Sequence, residues 1–151
     1  MKQTTQCYLE RGSQYLMLHR TKKQNDENHD KWIGVGGKFE PGESPEACAR
    51  REVLEETGYS VTPMRMSGIY ERVSDGREEG LCHKIYYIFL CRLDSPKTVT
   101  PMEIDRFQIG SEWVPLREVA MRNLFPRAIR DNISAFIGYG ETYYIGSERE
   151  R

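Results

Sequence analysis

Residues 37–59 read GKFEPGESPEACARREVLEETGY, a stretch that joins a glycine-rich segment to an acidic one. The spacing is Gly, five residues, Glu, seven residues, and then Arg-Glu-apolar-x-Glu-Glu-x-Gly-apolar. At about 7% for each residue type, seven fixed matches arise by chance at roughly one in 10⁸ start sites. The spacing is therefore a specific motif. Its fixed positions are Gly37, Glu43, Arg51, Glu52, Glu55, Glu56 and Gly58.

Residues 44–58 of this motif carry the signals that start and end a helix. Ser44 is a suitable N-cap, Pro45 suits the first helical position, and Glu46 complements the helix dipole in the first turn. Gly58 is a stop signal, because glycine readily adopts the left-handed conformation that commonly follows a helix. We predict a helix over residues 45–57.

Three carboxylates share one face of this helix, because Glu52, Glu55 and Glu56 lie at i, i+3 and i+4. An isolated run of this kind is usually a solvated acidic stripe. Here the segment GVGGK at residues 34–38 precedes the helix and can bring backbone carbonyls to the same place. Hard divalent cations take oxygen ligands and often bridge carboxylates to phosphates. The expected cofactor is Mg²⁺, with Mn²⁺ as the alternative.

The motif resembles the signature of the Nudix hydrolases. That resemblance implies an α/β (α+β) fold, a Nudix-type α/β/α sandwich with a mixed β-sheet, in one domain spanning residues 1–151. It also implies hydrolysis of a phosphoanhydride in a nucleoside diphosphate linked to another group. The order of predicted elements agrees with this fold, because strands precede and follow a central helix and further helices come last.

The remaining segments are predicted from periodicity and turn residues. Predicted strands cover residues 4–9, 14–19, 61–73, 81–93 and 107–114, with a turn at residues 11–13. Predicted loops cover residues 21–30, 74–80 and 94–106. A short helix is predicted from Pro115 and a longer one over residues 126–137, and residues 140–151 are predicted to be a frayed tail.

The resemblance assigns roles to the motif residues. Glu55 and Glu56 are expected to hold the metal with the Gly36 backbone, while Glu52 is either a ligand or the general base. Glu112, outside the motif, is the best-placed candidate for a further catalytic carboxylate, ahead of Glu103 and Asp105. The structural positions are Gly37, where the chain passes close to metal and phosphate, the paired Glu43 and Arg51, and the helix stop Gly58.

Residues 15–44 look like those of MutT-type 8-oxo-dGTP diphosphatases of bacteria. Lys38 is expected to contact a phosphate, and Arg20, Lys22 and Lys23 are candidates for the rest of a triphosphate. Trp32 is a candidate for stacking on the base, although core packing is the alternative. Tyr8, Tyr86 and Phe89 are core residues or line a base pocket. Animal enzymes for oxidised purine nucleotides carry Asn directly after the Trp, whereas this chain has Ile33, which cannot read a base edge.

The balanced charge of the chain limits the kinds of binding partner that we expect. The chain has 22 Lys and Arg against 23 Asp and Glu, so no strong field favours a nucleic-acid polymer or a membrane surface. A small-molecule nucleotide is the expected partner, and a homodimer is compatible with the resemblance. The N-terminus has no apolar stretch typical of a signal peptide, and the four cysteines show no CxxC spacing. We expect a cytoplasmic protein with reduced thiols.

Two other functions stay open. One is hydrolysis of ADP-ribose; that subgroup usually has a proline at a set distance after the motif, and this chain has none between Pro63 and Pro96. The other is a non-catalytic nucleotide-sensing module. Such modules usually lose motif glutamates, and all four are present here.

Overall fold

The computed structural model describes residues 2–20, 31–75, 81–93, 108–119, 121–122, 124, 126–138 and 142–150. In chain order the elements are β1 (Lys2–Arg11), β2 (Gln14–Arg20), β3 (Lys31–Ile33), α1 (Pro45–Thr57), β4 (Val61–Asp75), β5 (Leu81–Leu93), β6 (Gln108–Pro115), α2 (Leu116–Val119), α3 (Arg127–Asp131), α4 (Ile133–Gly138) and β7 (Tyr143–Glu150). None of the helices among these residues is long and apolar enough to cross a bilayer.

The strands form a mixed sheet, as predicted. Their order is β3-β2-β1-β5-β4-β7, and β6 pairs with β2 off this path. The β1–β5 and β4–β7 pairs are parallel, and the other pairs are antiparallel. The β1–β2 hairpin turns at Gly12, whose φ of 62° lies in the left-handed region that favours glycine. Parallel pairing of β1 with β5 places the N-terminal strand at the centre of the sheet.

Each face of the sheet has its own hydrophobic core. On one face Ala49 and Val53 of α1 pack with Leu16 and Leu18 of β2. On the other face Met17 of β2 belongs to a cluster that includes residues of α3 and α4. Alternation along β2 explains this division, because successive side chains of a strand point to opposite faces. The architecture is the expected α/β/α sandwich.

The predicted tail is wrong over most of its length. Residues 143–150 form β7, which runs parallel to β4 at the edge of the sheet. Tyr143 and Ile145 pack against the core cluster on the α3–α4 face. Partial burial of these two side chains stabilises the strand, although the charged residues that follow them favoured a frayed tail.

Smaller differences concern element ends. Strand β4 continues through Ser74 and Asp75, which were predicted to be in a loop, and its register shifts near Pro63 and again near Met66. The helix predicted over residues 126–137 is two short helices, α3 and α4, that meet at Asn132. The predicted loops at residues 21–30 and 94–106 lie outside the described residues, as do residues 76–80.

Candidate active site

Helix α1 has the ends that its sequence predicts. The Ser44 side chain accepts a hydrogen bond from the Ala47 amide at 3.2 Å, which satisfies one of the free amides of the first turn. At the other end Gly58 has a φ of 78°, and its amide donates to the Leu54 carbonyl. These caps fix the helix register and therefore fix which face carries the motif glutamates.

The glycine-rich segment runs along β1. Val35 exchanges two backbone hydrogen bonds with Cys7, and the Gly37 carbonyl accepts from the Thr5 amide at 2.9 Å. Among the described residues, the backbone hydrogen bonds between this segment and β1 use Val35, Gly37 and Phe39 but not the Gly36 carbonyl. A Cβ atom on Gly36 would lie 2.0 Å from the Thr5 carbonyl oxygen. Glycine is required there because the two backbones touch.

Gly37 approaches helix α1 in the same way. A Cβ atom on Gly37 would lie 2.5 Å from the carboxyl carbon of Glu52 and within 2.7 Å of both carboxylate oxygens. Real Cβ contacts are essentially never shorter than 3.0 Å. The first motif glutamate of the helix therefore rests directly on the glycine of the preceding loop.

Arg51 links this loop to the helix. Its Nε and Nη2 atoms donate to the two Glu43 oxygens at 2.7 and 2.9 Å, and Nη2 also donates to the Lys38 carbonyl at 3.0 Å. Its Nη1 atom donates to Glu52 at 2.8 Å and to Glu55 at 3.2 Å. The contact expected between Arg51 and Glu43 is present, and the same guanidinium also contacts two glutamates of the helix.

The Arg51 guanidinium changes the ionisation of Glu43. Its hydrogen bonds lower the pKa of the Glu43 carboxyl from 4.5 to about 2, against the opposing effect of partial burial. The same hydrogen bonds raise the pKa of Arg51 above its already high value. Glu43 is therefore ionised across the physiological pH range, and the pair holds a fixed geometry.

The third glutamate faces inward. The Oε2 atom of Glu56 is buried, and Glu56 lies close enough to Cys7 to act on its ionisation. The pKa of Cys7 is raised by its hydrogen bond with Cys91, then by burial, and further by the charges of neighbours that include Glu56. Glu52, Glu55 and Glu56 thus reach from the Gly37 loop to the space between α1 and β1.

The donor types at this site fit a hard divalent cation, since carboxylate and carbonyl oxygens are the ligands such ions prefer. As they stand, no three His, Cys, Asp or Glu side chains of the described residues converge closely enough to hold a metal ion. Arg51 is one reason why the carboxylates do not converge, because its Nη1 atom donates hydrogen bonds to one oxygen of Glu52 and one oxygen of Glu55. A cation bound here would compete with that guanidinium.

Glu112 does not join the motif glutamates, and its assignment as a catalytic carboxylate is corrected. It is paired in register with Met17, so it lies on the α3–α4 face of the sheet, opposite α1. Its two oxygens accept hydrogen bonds from Arg122, both at 3.0 Å. The other candidates, Glu103 and Asp105, lie outside the described residues.

Trp32 already has stacking partners within the protein. The His19 ring stacks on it at a centroid distance of 4.3 Å and an angle of 3°, and the Arg122 guanidinium lies over it at 4.7 Å. These contacts favour packing over base stacking, which was the alternative for this residue. Arg122 itself was missed, because nothing in its local sequence predicts its contacts with Trp32 and Glu112.

The other residues predicted to contact the substrate differ in their surroundings. Lys38 is exposed beside the loop, with its backbone bridged to Thr4 of β1. Arg20 is the last residue of β2, and its side chain is not among those that the structure describes. Lys22 and Lys23 lie outside the described residues. The aromatic candidates Tyr8, Tyr86 and Phe89 are buried in the two core clusters.

Comparison with known proteins identifies the family. The sequence model of the NUDIX domain matches residues 2–134, which is most of the chain. The chain therefore belongs to the NUDIX domain family. Enzymes of this family are pyrophosphatases that act on phosphoanhydride bonds, and they generally use divalent metal ions, typically Mg²⁺.

Two curated relatives match shorter stretches. A Bacillus subtilis protein assigned as an 8-oxo-dGTP diphosphatase is 49% identical over 41 residues, which is 27% of this chain and 28% of that protein. Diphosphoinositol polyphosphate phosphohydrolase 3-alpha of Mus musculus is 38% identical over 61 residues, which is 40% of this chain and 34% of that protein. The alignments thus cover about a third of these relatives or less.

Similarity to solved structures extends further along the chain. A NUDIX hydrolase from Nitrosomonas europaea superimposes with a TM-score of 0.71 and covers 89% of this chain and 87% of its own. The two sequences are 23% identical over that range. This likeness confirms the fold.

Proposed function

We propose that the protein is a Mg²⁺-dependent pyrophosphohydrolase that cleaves a nucleoside triphosphate to a nucleoside monophosphate and pyrophosphate. The observation that carries the proposal is the contact between Gly37 and Glu52, which brings the glycine-rich loop against the acidic face of α1. This arrangement supports a site in which oxygen donors of the helix lie beside close-approach backbone, with Lys38 on the same loop. Such a combination suits a cation bound together with phosphates.

The residues proposed to hold the cation are Glu55 and Glu56, together with the Gly36 carbonyl. When bound, a divalent cation neutralises phosphate charge and makes water easier to deprotonate. Glu52 is either a further ligand or the group that accepts the proton of the attacking water. The Arg51–Glu43 pair holds the loop and helix in register for this chemistry.

Lys38 is the proposed contact to the substrate phosphates. It is exposed at the loop, and its carbonyl is held by Arg51 at 3.0 Å, so its backbone position is fixed while its ammonium group can move. A mobile point charge of this kind can follow a phosphate oxygen. Lys23 and Arg20 remain candidates for the outer phosphates on sequence grounds.

The leading substrate is 8-oxo-dGTP. The support for it is the 49% identity over 41 residues with the Bacillus subtilis protein assigned as an 8-oxo-dGTP diphosphatase, a match that covers 28% of that protein. Ile33 has no polar group that could hydrogen-bond to a base edge, so selectivity for the oxidised base must come from other residues.

The proposed location is the cytoplasm. Cys7, Cys48 and Cys91 are buried free thiols, and such thiols stay reduced there.

The test is a product assay on purified protein with Mg²⁺. The panel contains 8-oxo-dGTP, dGTP, ADP-ribose and a diphosphoinositol polyphosphate, and products are separated by ion-exchange chromatography. Glu55→Gln is the control, because it keeps the size of the side chain and removes its charge. The proposal expects pyrophosphate and 8-oxo-dGMP from the wild type and a loss of about 10²-fold or more in the variant.

The other outcomes divide the rivals. Preferential cleavage of ADP-ribose or of the diphosphoinositol compound would replace the substrate and keep the reaction class. Binding of a nucleotide without Mg²⁺-dependent turnover of any compound would identify a sensing module. Turnover that is equal in wild type and Glu55→Gln would remove Glu55 from the mechanism.

A further inference from the structure

The Gly37 carbonyl accepts hydrogen bonds from residues that are not among the fixed positions of the motif. The Thr4 hydroxyl donates to it at 2.9 Å, the same distance as the Thr5 amide. The Thr5 hydroxyl lies at 3.4 Å and the Cys48 thiol at 3.6 Å. Two short bonds use both lone pairs of the oxygen, and the two longer contacts surround it. We call the three side chains of Thr4, Thr5 and Cys48 the carbonyl clamp.

The clamp is buried and chemically suited to donating. Thr4 is 6% exposed, Thr5 3% and Cys48 0%, so the three donor groups are themselves shielded from water. Burial raises the pKa of the Cys48 thiol to about 11, with opposing and reinforcing effects from its neighbours, so at neutral pH the thiol keeps its proton. The Cys48 thiol also lies 3.6 Å from the Thr5 hydroxyl and from the Lys38 carbonyl.

The clamp acts on the residue against which Glu52 rests. Fixing the Gly37 carbonyl fixes the peptide plane on its C-terminal side, because the peptide bond is rigid. With that plane fixed, the Cα of Gly37 has one position relative to β1. The Glu52 carboxylate packs on that Cα closely enough to exclude a methyl group. A shift of Gly37 is therefore transmitted to Glu52.

We propose that Thr4, Thr5 and Cys48 are positioning residues that set the place of the Glu52 carboxylate through Gly37. This inference rests on the proposed function. None of the three belongs to the fixed positions of the motif: Thr4 and Thr5 lie in β1, and Cys48 fills an unconstrained place in α1. The carbonyl clamp therefore contacts Gly37 both from strand β1 and from helix α1.

The experiment compares Thr4→Val with Thr4→Ser. Valine keeps the shape of threonine and removes the hydroxyl, whereas serine keeps the hydroxyl. Loss of one buried hydrogen bond should lower kcat by about three- to tenfold in Thr4→Val. KM should stay within about twofold, because substrate contacts are not touched, and Thr4→Ser should recover kcat. Thr5→Val and Cys48→Ala are expected to follow with smaller effects, in keeping with their longer contacts.

A matched control separates positioning from stability. The Ser67 hydroxyl is also buried and donates to a backbone carbonyl, that of Ile88 at 3.3 Å, in the β4–β5 pair. Ser67→Ala should lower the melting temperature and leave kcat unchanged. All variants are assayed at a temperature at which thermal unfolding shows them fully folded.

The outcomes distinguish this inference from the function on which it rests. Absence of turnover in the wild type on every substrate would reject the proposed function and the inference with it. Turnover in the wild type with an unchanged kcat in Thr4→Val would overturn the clamp alone. So would an equal kcat loss in Ser67→Ala, or no recovery in Thr4→Ser.

Discussion

Gly37 and Glu52 lie closer together than any side chain on residue 37 would allow, with only 2.5 Å between the position of a Cβ atom and the carboxyl carbon of Glu52. Gly37 ends the glycine-rich loop, and Glu52 is the first motif glutamate of α1. The contact joins the two halves of the motif in space. It explains why glycine and glutamate occur together at this spacing in terms of packing as well as chemistry.

Gly37→Ala should therefore impair catalysis without unfolding the protein. The new methyl group would push the Glu52 carboxylate aside, and a displacement of about 1 Å at a reacting group costs on the order of 100-fold in rate. The backbone of Gly37 is outside the left-handed region, so alanine adds no conformational strain there. The measurement is kcat with Mg²⁺ together with the melting temperature.

Gly110→Ala is the matched control for this substitution. A Cβ atom on Gly110 meets nothing within 4 Å, so kcat and melting temperature should both stay near wild type. If Gly37→Ala retained full kcat, the Glu52 carboxylate would not need its present position. If Gly37→Ala lost structure as well as activity, the clash would not be confined to the Glu52 side chain, and the predicted local displacement would be wrong.

The Glu43–Arg51 pair should make stability depend on acid pH. The pKa of Glu43 in the folded protein is about 2, against 4.5 in the unfolded chain. Between these values the unfolded state binds more protons, so the contribution of Glu43 is complete above pH 4.5 and is lost as pH falls toward 2. Urea unfolding of wild type and Glu43→Gln across this window should show a smaller pH effect in the variant.

Glu118→Gln is the control for Glu43→Gln, because it also removes one negative charge. Glu118 lies in α2 and is not among the residues that contact Arg51. Both variants are measured at the same ionic strength, because screening weakens charge pairs at the surface. An identical pH dependence in wild type and Glu43→Gln would show that Arg51 does not hold the pKa of Glu43 below its usual value.

Gly68 of β4 should be a stability position with no role in catalysis. A Cβ atom there would lie 2.0 Å from the Phe136 ring and 2.8 Å from the Tyr143 carbonyl. Gly68→Ala must therefore move α4 or β7 and should cost about 3 kcal/mol, or a fall in melting temperature of roughly 6–12 °C. Thermal unfolding beside Gly110→Ala tests this, and an unchanged melting temperature would show that α4 packs elsewhere.

Glu112 and Glu55 should separate cleanly in an activity assay. Glu112 pairs with Arg122 on the sheet face opposite α1, and its side chain is 50% exposed, so Glu112→Gln should cost less than about 1 kcal/mol of stability. Its kcat should remain within about twofold of wild type, whereas Glu55→Gln should lose about 10²-fold or more. A large kcat loss in Glu112→Gln would return this residue to the mechanism.

Local signals predicted the parts of the site that depend on neighbours in the chain. Ser44, Pro45 and Gly58 fixed the bounds of α1 at residues 45–57, and the i, i+3, i+4 spacing placed the three glutamates on one helix. The close approach of the glycine-rich loop followed from the absence of side chains. These inferences succeeded because capping and helical spacing act within a few residues.

Long-range packing decided the parts that were missed. Which face of the sheet Glu112 occupies depends on the register of β6 with β2, and a shift by one residue would reverse it. Trp32 takes its partners from β2 and from the segment after α2, and β7 gains its order from β4. The carbonyl clamp joins β1 to residues of the motif, so no local pattern announced it.

Binding of Mg²⁺ should be visible without turnover. A ligand at ten times its Kd stabilises the folded state by about 1.4 kcal/mol, which raises the melting temperature of a chain of this size by roughly 3–6 °C. Glu55→Gln should reduce this rise because it removes a charged ligand, whereas Glu112→Gln should retain it. The measurement is a thermal unfolding series in Mg²⁺ without nucleotide. An equal rise in both variants would show that Glu55 does not hold the cation.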